Sequence, residues 1–236
     1  MADARRCLSL SELKLYGRRD AGNVEKLLDL ALNKPLTALN LRGCRIAPAS
    51  MPSLTRLVNG MSLTTLDVLN FGHVLTPSPA FCAAVAAAPL VRLTYMNAGL
   101  FVDLTAGLSL LGAVTGHLTL RHLSLCRNVV APVGRTAVGA AIGLLVAADS
   151  PLITLDISDC ALGNEGLLPF IDALPRNSHL RRLVCDGNAL TQLTAALLLA
   201  AVRANVSLIH LTAAAAGDYP IPALVEAEAM VAARAA

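Results

Sequence analysis

One short phrase is repeated along the chain, and it restricts the possible folds more than any other feature. The phrase is Leu-x-x-Leu-x followed by a sixth residue that is Leu, Val, Ile, Tyr, Cys or Ala. Repeats of 20 to 50 residues are typical of solenoids, in which each unit buries its apolar side against the next. The eight copies, spaced 26 to 32 residues apart, begin at Leu10, Leu36, Leu63, Leu90, Leu120, Leu152, Leu180 and Leu208.

Within each repeat the apolar spacing changes from that of a strand to that of a helix. Positions 4 and 6 of the phrase alternate with polar positions, which predicts a short parallel strand whose Leu side chains point inward. In the sixth repeat the apolar residues then follow at i, i+3, i+4 and i+7, like one face of a helix. These residues are Leu167, Phe170, Ile171 and Leu174. Each repeat therefore reads as strand, turn and helix.

The residues between strand and helix carry turn signals. Three places beyond position 6, a small or amide side chain recurs, and we expect it to hydrogen-bond or to fill the tight turn. This position holds Cys44, Ala98, Asn128, Cys160, Asn188 and Ala216, with Arg18 and Phe71 as exceptions. Ser78 before Pro79 predicts a capped helix start, and Asn177 and Asn205 are expected to end helices.

The sixth and seventh repeats, LITLDISDCALGNEGLLPFIDALPRNSHLRRLVCDGNAL, resemble the ribonuclease-inhibitor class of leucine-rich repeat. The resemblance covers the chain from Leu10 to Ser207, with a degenerate eighth unit after it. It implies an α/β horseshoe-shaped solenoid of about eight strand–helix repeats, with a parallel sheet on the concave face and helices on the convex face. Such proteins are mostly intracellular, noncatalytic binding surfaces. No interruption marks a boundary, so we expect a single leucine-rich-repeat domain over residues 1–236.

The fold leaves the outward strand positions free for binding, and from the fourth repeat onward these positions are rich in arginine. Positions 2, 3, 5, 7 and 8 are expected to face solvent on the concave side. At a strand spacing of about 4.8 Å, the residues at position 3 form one column. That column contains Arg92, His122, Thr154, Arg182 and His210. Arginine recognises carboxylates through two parallel hydrogen bonds, which favours an acidic protein partner.

The predicted partner-binding residues share these outward positions. They are Arg92, Arg121, His122, Arg127, Asp156, Asp159, Arg181, Arg182 and Asp186. The alternative interpretation is that these side chains only keep the exposed sheet soluble.

Composition argues against several other partners. With 19 Lys and Arg against 16 Asp and Glu, the net charge of +3 is too small to indicate nucleic acid, and only Tyr16 adds an aromatic to the outward positions. The most apolar stretches, 129–148 and 193–216, contain Arg135 and Arg203 respectively, so we expect no membrane span.

The six cysteines, at 7, 44, 82, 126, 160 and 185, form no C-x-x-C pair. We therefore expect reduced thiols in the cytoplasm and no metal site. No phosphate-binding glycine motif is present in the sequence, and no cofactor is predicted.

The one catalytic arrangement that the pattern suggests is Cys126 with His122, beside Asp156 or Asp159. Four residues along a strand separate Cys126 from His122 by about 13 Å, which is outside hydrogen-bond reach. An open concave face also excludes little water. We therefore predict no catalytic residues and a noncatalytic protein.

The convex side and the last helix carry two further expectations. The helices at 79–88, 136–148 and 191–204 are apolar nearly all round, which predicts further protein contacts there. The last helix is expected to cover the end of the solenoid through Glu226, Glu228 and Arg234. The function that we favour is a scaffold or adaptor in a larger intracellular assembly, and the alternative is an enzyme regulator, such as a GTPase activator or an inhibitor.

Overall fold

The computed structural model describes residues 12–15, 21–32, 34–60, 63–70, 74–147, 150–214 and 220–235. Strands and helices alternate along this part of the chain. The strands are β1 Glu12–Lys14, β2 Ala38–Cys44, β3 Thr65–Asn70, β4 Arg92–Met96, β5 His122–Ser124, β6 Thr154–Asp156, β7 Arg182–Val184 and β8 His210–Thr212. The helices are α1 Ala21–Ala31, α2 Met51–Asn59, α3 Pro79–Ala87, α4 Leu104–Val114, α5 Arg135–Ala147, α6 Gly163–Ala173, α7 Gln192–Ala204 and α8 Pro222–Ala233.

The eight strands form one parallel sheet in chain order, β1 to β8. Each strand pairs with the next so that equal positions of the phrase are opposite one another, as Leu123, Leu155 and Leu183 are. The predicted column at position 3 is therefore present, from Arg92 in β4 to His210 in β8. The predicted α/β leucine-rich-repeat solenoid is confirmed.

The core is one continuous layer between the sheet and the helices. In the sixth repeat, Leu152, Leu155 and Ile157 are at most 2% exposed, as the inward positions of the phrase predict. The helical face that contains Leu167 and Phe170 is also buried. Because each Leu lies over the same position of the next repeat, burial extends along the solenoid.

The predicted turn residues connect neighbouring repeats. The Asn188 amide donates to the carbonyls of Ile157 (2.7 Å) and Cys185 (3.0 Å) and accepts from the Leu162 N–H (3.2 Å). Cys160 stands at the equivalent position of the sixth repeat, and its thiol donates to the Leu125 carbonyl at 3.3 Å. These bonds satisfy buried backbone groups where β5, β6 and β7 end.

A second set of buried side chains forms hydrogen bonds between neighbouring repeats at the ends of helices. The Asn205 amide donates to the carbonyls of Leu174 and Asn177, and it accepts from the Leu208 N–H at 2.8 Å. His117, also three residues before a phrase, hydrogen-bonds the Val85 carbonyl and the Leu120 N–H. The sequence indicated that Asn177 and Asn205 end helices but not that such residues link repeats.

Two local predictions are confirmed. The Ser78 hydroxyl accepts from the Phe81 N–H at 3.1 Å and caps α3. At the other end of the chain, Arg234 of α8 donates to the carbonyls of Val202 (2.7 Å) and Leu208 (3.2 Å), and Glu228 accepts from the Ala213 N–H (2.8 Å). Helix α8 thus covers the last strand–helix unit and binds its unpaired backbone groups.

Candidate functional site

The sheet face opposite the helices, here called the concave face, has a depression of about 400 Å³ in its middle. Side chains at positions 3 and 5 of the central strands line it, because alternate residues of a strand point to the same side. The polar and charged lining residues are Arg42, Arg92, Thr94, His122, Ser124, Thr154, Asp156 and Arg182. Met96 and Val184 add apolar surface.

Two of the predicted arginines lie on either side of this depression. Arg92 of β4 and Arg182 of β7 are both exposed and both stand at position 3. Within the described part of the chain, neither guanidinium makes a hydrogen bond or an ion pair. Three strand spacings of about 4.8 Å separate their backbones by about 14 Å. Each cation is therefore available to a ligand from outside the chain.

His122 and Thr154 lie between these arginines, with His122 Nδ1 2.8 Å from Thr154 Oγ1. Partial burial, and secondarily the positive charge of Arg92, lower the pKa of His122 below its usual value. Both effects favour the uncharged imidazole of His122, which leaves Arg92 and Arg182 as the cations on either side of it.

The predicted residue Asp156 lines the floor of the depression, but its carboxylate already accepts hydrogen bonds from within the protein. Its carboxylate accepts from the Ser124 hydroxyl (3.0 Å), the Ser158 hydroxyl (2.6 Å) and the Ser158 N–H (3.0 Å). These bonds hold the carboxylate in place on the sheet. Asp156 thus shapes the depression and offers little to a ligand.

The predicted residues Arg121 and Arg181 do not join the depression. At position 2 they lie where the chain enters the sheet, and each reaches across to the next repeat. Arg121 donates to the Pro151 carbonyl and Arg181 to the Ser207 carbonyl, both at 3.0 Å. Sequence position alone does not reveal these bonds, because the acceptors are 30 and 26 residues away.

The remaining predicted residues lie at the opposite end of the strands. Arg127 pairs with Asp159 at 3.5 Å, and Asp186 accepts from the Ala214 N–H at 2.6 Å. Arg127 and Asp159, at position 8, have φ of 61° and 55°, a left-handed conformation that Gly43 and Gly187 adopt at the same position. The tight turn places these side chains at the rim. The nine predicted residues therefore form three sets, not one cluster.

Two residues at position 7 differ from the expected solvent-facing arrangement. Cys126 is 6% and Ser158 8% exposed, in the turns that follow β5 and β6. Burial raises the pKa of the Cys126 thiol, and it raises the pKa of Cys160 to about 12. Thiols of this kind are poor nucleophiles. His122, moreover, bonds to Thr154 and not to Cys126.

The sequence prediction missed Arg42, which lines the depression from β2. Its Nε lies 4.0 Å from Oδ2 of the largely buried Asp67, so part of its charge is neutralised within the sheet. Arg42 stands at position 7 of the second repeat, and the prediction considered these positions only from the fourth repeat onward. Tyr16, the aromatic expected on this face, lies outside the described residues.

Other kinds of site find no support among the described residues. They contain no group of three or more His, Cys, Asp or Glu that could hold a metal ion. In the same part of the chain, no helix has both the length and the apolar character needed to cross a membrane. The five described cysteines are free and buried.

Comparisons with known proteins agree with this architecture. A leucine-rich-repeat family model matches residues 32–54 and 149–170. No curated protein matches significantly.

Two solved structures are similar in fold. One is the tropomodulin C-terminal domain of Caenorhabditis elegans, with TM-score 0.54 and 16% identity over 67% of this chain and 95% of that one. The other is the actin-binding site 2 of leiomodin-1, with TM-score 0.51 and 14% identity over 63% of this chain and 82% of that one. With its eight phrases aligned in one parallel sheet, this chain has the leucine-rich-repeat fold, and two of its segments match the leucine-rich-repeat family model.

Proposed function

We propose that this chain is a noncatalytic protein-interaction module that binds an acidic protein partner on its concave face, and that it works as a scaffold or adaptor. The observation that carries the proposal is the pair Arg92 and Arg182. Both guanidinium groups are exposed beside one depression, and in the described residues neither has a hydrogen bond or an ion pair. Carboxylates are the natural complement of such groups.

The surrounding chemistry supports binding over catalysis. The thiols of Cys126 and Cys160, which follow β5 and β6, are buried with raised pKa values, and the carboxylate of Asp156 accepts hydrogen bonds from two serines. Among the described residues that line the depression, no acid and base face each other at hydrogen-bond distance. Free cysteines also suit a reducing compartment, so we place the module inside the cell.

The fold relatives suggest where a search for partners should begin. The leiomodin-1 structure is of an actin-binding site, and at 14% identity the likeness extends to the fold alone. Co-sedimentation with actin filaments is the first assay, followed by affinity capture from cell extract with quantitative mass spectrometry.

The decisive variant is the double reversal Arg92→Glu with Arg182→Glu. The matched control is Arg56→Glu with Arg176→Glu, which makes the same change in net charge on the helical side, where these side chains are 61% and 77% exposed. We expect the concave variant to lose the captured partner and the control to retain it, with both thermal midpoints nearly unchanged. Equal retention by both variants would rule out the concave face as the binding site.

A further inference from the structure

We infer that the concave face recognises an extended acidic segment at two points, with one carboxylate on Arg92 and a second, four residues further along, on Arg182. This inference rests on the proposed function and specifies its ligand. It depends on one juxtaposition: two guanidinium groups that have no hydrogen bond or ion pair among the described residues stand in the same column, on either side of the hydrogen-bonded pair His122 and Thr154.

The first step is the selection of these two cations from all the basic groups around the site. Arg121 and Arg181 already donate to backbone carbonyls, Arg127 pairs with Asp159, and Arg42 lies near Asp67. An incoming carboxylate would have to compete with those internal partners. At Arg92 and Arg182, within the described residues, it competes only with water.

The second step is the spacing. The two guanidinium groups belong to β4 and β7, whose backbones are about 14 Å apart. An extended chain advances about 3.3 Å per residue, and alternate side chains point to the same side. Residues i and i+4 are therefore about 13 Å apart on one face. An acidic pair at this spacing, running across the strands, brings one carboxylate to each arginine.

The third step concerns what lies between the two points. His122 and Thr154 hydrogen-bond each other, and the lowered pKa of His122 favours its uncharged form. The carboxylate of Asp156 beside them accepts hydrogen bonds from two serines, and these neutral donors leave its negative charge in place. The residues of the ligand between its two acids should consequently be polar and uncharged, because a third carboxylate would lie near Asp156.

A protein segment fits this surface better than a nucleic acid. Base stacking needs exposed aromatic rings, and the described part of the concave face offers none, because Tyr95 of β4 is fully buried. Met96 and Val184 instead provide apolar edges to the depression, against which aliphatic side chains can pack.

The test uses synthetic peptides in which two Glu residues are placed in an uncharged Ser-Gln-Thr background. The pairs are spaced i,i+1, i,i+4 and i,i+10, and a fourth peptide has a single Glu. Binding is measured by fluorescence anisotropy at low ionic strength. We expect the i,i+4 peptide to bind most tightly, and Arg92→Gln or Arg182→Gln to weaken it by about two- to fivefold each, the size of one exposed ion pair.

The matched control is Arg181→Gln, which removes an exposed arginine that is next to Arg182 but bound to the Ser207 carbonyl. This variant should bind the i,i+4 peptide like the unchanged protein. Equal affinity for all two-Glu spacings, an equal loss in Arg181→Gln, or stronger binding of a single-stranded oligonucleotide than of the i,i+4 peptide would each overturn the inference. If spacing has no effect but Arg92→Glu with Arg182→Glu still abolishes capture of the partner, the proposed function stands and only the two-point geometry fails.

Discussion

Gly139 of α5 lies directly against the backbone of Gly166 in α6. A Cβ on Gly139 would be 2.2 Å from the Gly166 carbonyl oxygen and 2.6 Å from its Cα, distances that only a glycine permits. The two helices can therefore pack backbone to backbone between the fifth and sixth repeats.

We expect Gly139→Ala to lower the free energy of unfolding by about 1–3 kcal/mol, because α5 must move away from α6. The control is Gly112→Ala in α4, where an added Cβ meets nothing within 4 Å. There alanine should stabilise the helix by about 0.5–1 kcal/mol. Urea denaturation followed by circular dichroism measures both changes. A fall in stability of the same size at Gly112 would contradict the assignment of the loss at Gly139 to the contact between α5 and α6, because helix propensity favours alanine at both positions.

Leu155 is fully buried at position 4 of the sixth repeat. Leu155→Ala should cost about 2–5 kcal/mol of unfolding free energy through lost burial and a residual cavity. Ile153, two residues earlier, is 36% exposed, and Ile153→Ala should cost less than about 1 kcal/mol. Chemical denaturation distinguishes the two variants, and a cost at Leu155 no greater than at Ile153 would contradict the inward register.

The Asn188 amide donates to two buried carbonyls, and an Asp of the same shape cannot donate when ionised. Asn188→Asp should cost about 3–5 kcal/mol at neutral pH, since an unpaired charge is then buried among acceptors. Burial raises the pKa of the new carboxyl in the folded state. The folded variant therefore holds its proton more tightly than the unfolded chain, and its deficit should shrink as the pH falls.

The measurement for this variant is thermal unfolding from pH 7 to pH 4, with Ser178→Asp as the control for a new surface charge, because Ser178 is exposed. A deficit in Asn188→Asp that is independent of pH would argue against the hydrogen-bonding role of the amide.

The pKa of His122 depends on its burial and on the charge of Arg92. Burial and the charge of Arg92 both lower it, so the unfolded chain binds a proton at His122 more readily than the folded protein does. The contribution of His122 to the free energy of unfolding is accordingly complete above its pKa in the unfolded chain, about 6.5. It decreases as the pH falls below that value. Arg92→Gln should raise the pKa of His122, as measured by NMR titration of its ring protons.

The comparison variant for His122 is Arg181→Gln, whose guanidinium is bound elsewhere. This variant should leave the pKa of His122 unchanged. If Arg92→Gln does not change the pKa of His122, burial alone accounts for the lowered pKa.

The convex side presents exposed apolar residues, as the helical pattern indicated. Leu144 is 66%, Leu193 62% and Leu197 40% exposed. Such surface favours association, so we expect the purified protein to bind an apolar-surface dye, and Leu193→Lys with Leu197→Lys to reduce that fluorescence. Size-exclusion chromatography with light scattering tests whether self-association falls in parallel. No dye binding by the unchanged protein would contradict this expectation.

The repeated phrase by itself determined the fold of this protein, including the order of the strands, the inward register and the column from Arg92 to His210. A phrase that recurs with the same inward positions can bury all of them only when equal positions lie opposite each other, so periodicity dictates the pairing. The capping of α3 by Ser78 and the turn roles of Asn188 and Cys160 followed from local chemistry in the same way.

Only the tertiary structure decided which outward residues are available. Arg181 and Arg182 are adjacent in the seventh copy of the phrase, yet Arg181 is bound to a carbonyl 26 residues away, whereas Arg182 has no hydrogen bond or ion pair in the described part of the chain. Arg127 and Asp159 adopt left-handed conformations in the turns that follow β5 and β6, and Cys126 is buried in the first of these turns. These outcomes depend on contacts between adjacent repeats, and the geometry of such contacts cannot be derived from the spacing of residues within one repeat.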